Sequence, residues 1–127
     1  MSDIIDHIEN KYKYYLRPGY GVKTLLIDIF FGAESEDFIM DFINTINSIN
    51  PKSISVNDIW MNDEVFLEID SDIGIFQISK DNWGFGFIMS NTNQKVLFVI
   101  DKILQNDSKF LKVEVDPDKY KYNSSDH

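Results

Sequence analysis

Between Ser53 and Met89 the chain reads as four strand-like segments, at about 53–60, 64–70, 73–79 and 83–89, joined by Met61-Asn62-Asp63, Ser71-Asp72 and Lys80-Asp81-Asn82. Connections this short and polar cannot carry the chain across a sheet. Consecutive segments must therefore pair as antiparallel hairpins. In the second segment Val65, Leu67 and Ile69 alternate with Phe66, Glu68 and Asp70, the pattern of a strand with one face in water. In the fourth, Trp83, Phe85, Phe87 and Met89 alternate with Gly84, Gly86 and Ile88. The aromatic rings are expected in the core, and the glycine side lets a helix lie close to the sheet.

The flanking segments add helices and further strands. Asp3 is expected to cap a first helix, with Ile5, Ile8, Tyr12, Tyr15 and Leu16 in one apolar stripe and Arg17-Pro18-Gly19-Tyr20-Gly21 ending it. Val22 to Phe31 reads as a central strand with apolar residues on both faces. Ser35 is expected to cap a second helix, with Glu36 and Asp37 in its first turn. Its stripe is Phe38, Ile39, Phe42, Ile43, Ile46 and Ile49, stopped at Asn50-Pro51. Val96, Val99, Ile100, Ile103 and Leu104 mark a third helix, and Leu111, Val113 and Val115, alternating with Lys112, Glu114 and Asp116, a last strand. This order predicts an α+β fold in a single domain, 1–117, with a mainly antiparallel sheet of about five to six strands and three helices packed on it. A polar, frayed tail, 118–127, is expected to follow.

Charge is distributed unevenly. Residues 34–81 carry eleven acidic side chains against Lys52 and Lys80 alone, while the segments on either side each sum to zero, so the net charge of −9 arises in the middle. Asp58, Asp63, Glu64, Glu68, Asp70 and Asp72 fall on the hairpin strands and their ends, with Trp60 and Phe66 among them. Glu68 and Asp70 share a strand face because side chains repeat every two residues. These eight residues are the expected contact set for a basic protein partner, with the acids steering encounter and the aromatics anchoring it. The alternative is a solvated sheet face whose charges keep the protein soluble. A nucleic-acid partner is not expected from so acidic a chain.

Other chemistry is poorly supported. Without cysteine there is no disulfide, thiolate metal site or thiol nucleophile. Histidine occurs only as His7 and His127, so a serine–histidine pair has little to draw on. Asp70-Ser71-Asp72-Ile73-Gly74 opens like a calcium loop, but the later ligand positions hold Gly74, Ile75 and Asp81, and a hairpin turn fits better. Gly84-Phe85-Gly86 lies inside an alternating strand and is no phosphate loop. No metal or cofactor is expected. The longest apolar run, Val96 to Ile100, is far below the ~18 residues a membrane span needs. The amino terminus lacks a signal-peptide pattern, so the cytoplasm is the expected location.

The acidic domain without cysteine, the meander from Ser53 to Met89, and Asp81-Asn82-Trp83-Gly84-Phe85-Gly86-Phe87 followed by helix and strand resemble the small immunity proteins of bacterial contact-dependent inhibition and polymorphic toxin systems. The resemblance implies a non-catalytic, cytoplasmic inhibitor that is monomeric when free and binds one cognate toxin domain, often a basic nuclease. Two other classes stay open: a small carboxylate-dependent enzyme or metal-assisted binder, and a regulatory or scaffold domain with a different basic partner.

Overall fold

The computed structural model describes residues 11–19, 24–59, 64–81, 84–90 and 92–115. They form a single seven-stranded sheet with two α-helices on one face. In chain order these are β1 (Tyr12–Pro18), β2 (Leu25–Phe31), α1 (Phe38–Thr45), β3 (Lys52–Ile59), β4 (Glu64–Asp70), β5 (Phe76–Asp81), β6 (Gly86–Met89), α2 (Gln94–Gln105) and β7 (Phe110–Lys112). Across the sheet the order is β3-β4-β5-β6-β2-β1-β7. The expected meander is present: β3, β4, β5 and β6 pair successively as antiparallel neighbours. β6 then pairs with β2, and β2 with β1, again antiparallel. Only β7 runs parallel to its neighbour, β1, so the sheet is mixed and has more strands than expected.

Two crossovers build this order. The first leaves central β2, passes through α1 and emerges at the sheet edge as β3; the meander then returns to β2. The second leaves β6, passes through α2 over β2 and β1, and delivers β7 to the far edge. Crossovers of this kind need a helix because the joined strands run parallel.

The core lies between the helices and the inward residues of the sheet. Ile27, Ile29, Leu67, Ile69, Phe76, Ile78 and Ile88 meet Phe38, Phe42 and Ile46 on one side and Val96, Leu97, Ile100 and Leu104 on the other. Phe42 packs edge-on against Phe76 and Phe110, at ring separations of 6.4 Å. The expected glycine side of the fourth hairpin strand does admit a helix. A Cβ at Gly86 would stand 3.0 Å from the Ala33 Cβ and 3.4 Å from the Phe38 ring, so α1 can begin against bare backbone there.

Several expectations need correction. Residues 12–18 form β1 rather than a helix end; their inward residues are Tyr12 and Tyr14, with Leu16 beside them. The stripe at 12, 15 and 16 suits a helix, but alternation at 12, 14 and 16 suits a strand equally, and pairing with β2 and β7 decides it. The rest of that helix, residues 1–10, lies outside the described residues, as do 116–127. Helix α1 begins at Phe38 with Asp37 as its cap residue; Ser35 instead uses its hydroxyl to accept the Asp37 amide at 3.1 Å. Val99 of α2 faces outward, and Leu97 and Asp101 take inward places. The last strand is shorter than expected, Phe110–Lys112, with Phe110 buried, Leu111 exposed and Lys112 reaching the helices. Phe85 and Phe87 are not core residues; their rings stack at 6.5 Å on the face away from the helices, and Phe85 is half exposed. No helix among the described residues is long and apolar enough to cross a membrane.

Candidate functional site

β4 presents the candidate surface. Leu67 and Ile69 are buried and Val65 packs against the core, so Phe66, Glu68 and Asp70 alternate onto the face that no described helix covers. Phe66 and Glu68 are half-buried, and Asp70 is exposed. Across the ladder Glu68 stands between Ser55 and Gln77, whose amide donates to it at 3.4 Å. Asp70 stands opposite Lys52 without an ion pair. The ladder also places the main chain of Asp58, opposite Val65, and of Glu64, opposite Ile59. Their side chains, with Trp60 and Asp63, lie outside the described residues, as do His7 and His127.

Asp72 follows β4 in the β4–β5 turn, beside the end of the α1 segment. That turn is closed by the Ser71 amide and hydroxyl, which donate to the Gly74 carbonyl at 3.1 and 2.7 Å. It is fixed to the end of the α1 segment by the Asp72 amide, which donates to the Ile49 carbonyl at 2.8 Å. The Asn50 side-chain amide then donates to the Asp72 carboxylate at 2.7 Å. Asn50 occupies the left-handed region, φ 52°, which asparagine tolerates better than most residues.

The other described carboxylates divide from these three. Asp41 on α1 accepts the Tyr12 hydroxyl at 2.6 Å and the Lys11 ammonium at 2.9 Å, and Lys11 also lies 3.6 Å from Asp37. The Tyr12 hydroxyl and the Lys11 ammonium hold the Asp41 carboxyl below its ordinary range. Burial, followed by the Asp41 contact, pushes the Tyr12 phenol up to about 12. Asp101 on α2 accepts Tyr14 at 2.8 Å, Lys112 at 3.0 Å and Gln105 at 3.0 Å. Tyr14 is pushed upward by burial first and by Asp101 second. At Asp107 burial acts upward, but hydrogen bonds from Lys109 and Thr45 outweigh it and leave the carboxyl low. Glu114 lies 3.8 Å from Lys112. Glu34 and Glu36 face Lys80, which burial pushes down and whose ammonium donates to the Ser35 carbonyl at 2.8 Å. The acids of residues 34–81 therefore do not all converge. Those of the α1 region meet cations, whereas Glu68, Asp70 and Asp72 make no ion pair among the described residues.

Sequence reading missed one charged feature of the face opposite the described helices. Arg17 Nε donates to Asp28 at 2.9 Å, with both side chains about nine-tenths buried. The Asp28 position lies between Tyr15 and Phe87 in the ladder. The other Asp28 oxygen is buried without a hydrogen-bond partner. The signal was a lone acid in the otherwise apolar segment Leu25-Leu26-Ile27-Asp28-Ile29-Phe30-Phe31. No group of three or more histidine, cysteine, aspartate or glutamate residues suited to a metal occurs among the described residues. The face offers charge and aromatic surface, which suits binding.

No protein-family model, curated protein or solved structure matches this chain.

Proposed function

We propose that this protein is a non-catalytic inhibitor of the immunity type, which binds a basic, nuclease-type toxin domain through the acidic surface of β4 and the β4–β5 turn. The observation that supports this most is the division of the carboxylates. Acids facing the helix layer or β1 have cationic or phenolic partners within the fold, and Glu68, Asp70 and Asp72 have no cation among the described residues. Like charges left without counter-charges repel one another within the folded chain, and a basic partner relieves that cost. Phe66 stands in the same strand face and supplies apolar contact beside the charge.

In this reading the three carboxylates stand in for the phosphate charges of a nuclease substrate and occupy or flank a cationic cleft. An interface of ordinary size, ~1,600 Å² in total, is sufficient. The protein performs no bond-breaking step. The test is whether the neighbouring reading frame encodes a secreted protein that ends in a basic domain, followed by co-expression of that domain with this chain. Survival of the cells and a co-purifying complex are expected. Undiminished toxicity with no complex would overturn the reading.

A further inference from the structure

We infer that the partner is held by strand addition: an extended segment bearing Lys or Arg pairs, main chain to main chain, with the edge of β3 that no described strand covers. This rests on the basic-partner reading above and names how that partner is gripped. β3 ends the sheet, with β4 on one side and no strand on the other among the described residues. It has eight residues, whereas β7 at the opposite edge has three. Exposed edges are normally guarded by proline, charge or a bulge, because their unpaired amides and carbonyls recruit other strands. Here the proline, the lysine and the bulge all sit at the start, and Asp58 is the one charge further along. Pro51 precedes the strand, Lys52 opens it, and the register slips between Ser53 and Ser55. From Ser55 to Ile59 the pairing with Glu68 to Glu64 is regular, and the stretch contains neither proline nor lysine. Alternate residues of such a stretch direct their amide and carbonyl away from β4 and form a short template for another strand.

Charge selects the occupant. A second copy would bring together two segments that each hold eleven acids against two lysines, and their repulsion opposes an edge-to-edge dimer. A basic strand meets the opposite field. Glu68 and Asp70 lie one strand in from the edge, opposite Ser55 and Lys52, and neither is ion-paired among the described residues. Added strands sit ~4.8 Å apart, so the incoming side chains would lie ~10 Å from the β4 row. That is about one Debye length at moderate salt, close enough for the field to act.

Three ten-residue peptides titrated into the full chain test this: alternating Lys–Val, alternating Lys–Pro and alternating Glu–Val. The first two carry the same charge, but only Lys–Val can pair as a strand. Lys–Val is expected to bind at least tenfold more tightly than either control and to slow hydrogen exchange at amides within 55–59. Val56→Pro and Asn57→Pro occupy adjacent positions, so one of them removes an outward amide while sparing the β4 ladder. The variant that retains its circular dichroism is expected to lose Lys–Val binding. Equal binding of Lys–Val and Lys–Pro would overturn strand addition while leaving the anionic surface standing. Equal binding of Lys–Val and Glu–Val would overturn the basic occupant while leaving the edge open. No binding by any peptide would overturn strand addition, as would protection of these amides that rises with protein concentration alone, which would assign the edge to a second copy. The basic-partner reading fails separately, in the co-expression experiment.

Discussion

Replacing Tyr14 with phenylalanine removes one hydroxyl and almost no volume, which isolates a buried hydrogen bond. The hydroxyl donates to Asp101 at 2.8 Å, and the Asp101 side chain is 8% exposed. Lys112 and Gln105 both engage the other carboxylate oxygen, so the variant leaves one buried, charged acceptor atom unsatisfied. Hydrogen bonds to charged groups are worth about 1.5–3 kcal/mol, and desolvation of the orphaned atom puts the loss in that range. Tyr12→Phe is the internal control. Tyr12 donates to Asp41 at 2.6 Å, but the Asp41 side chain is 22% exposed and keeps Lys11, so water and the ammonium compensate. That loss is expected near 0.5–1 kcal/mol. Urea unfolding followed by tryptophan fluorescence reads both, with m unchanged because the surface exposed on unfolding is the same. A Tyr14→Phe cost below about 0.5 kcal/mol, or one smaller than that of Tyr12→Phe, would refute the claim that β1 fastens α2 through a desolvated bond.

Acid and alkali act on different contacts. Asp41 and Asp107 have lowered folded values, so the stability they supply is complete above the ordinary 3.8 and is lost as pH falls through their folded values. Urea midpoints should drop more steeply below pH 4 for the wild type than for Asp41→Asn. Tyr12 is raised, so its contribution is complete below the ordinary 10.0 and fades as pH climbs towards about 12. Phenolate absorbance should therefore rise in two phases, with the later one smaller in Tyr12→Phe. Gly86→Ala should cost about 1–3 kcal/mol in the same unfolding assay, by pressing on Ala33 and Phe38. Gly32→Ala should cost more, because its Cβ would lie 2.5 Å from the Lys11 carbonyl and its φ is +94°.

Local pattern carried much of the fold. The stripe of α1 was legible because Phe38, Phe42 and Ile46 recur on one face and all are buried. The meander was legible because its connections are short and its second strand alternates cleanly. What escaped depended on partners distant in sequence. Tyr12 and Tyr14 became inward strand residues through pairing with β2 and β7 and through Asp41 and Asp101 on the helices. Lys112 turned towards the helices because Asp101 awaits it there. The candidate surface was legible in part. Alternation put Phe66, Glu68 and Asp70 together, but a charge tally could not show that Lys11 comes from outside the acidic segment to meet Asp37 and Asp41.

The central claim is that three carboxylates with no ion pair among the described residues receive a basic partner. Association rates measured across a salt series test it most directly, with the basic domain and either the wild type or the variant Glu68→Gln, Asp70→Asn, Asp72→Asn. Wild-type association should fall steeply as salt rises. The variant should associate about tenfold more slowly at low salt, with a flatter salt dependence and little change in dissociation. Identical rates and identical salt slopes for the two proteins would contradict it.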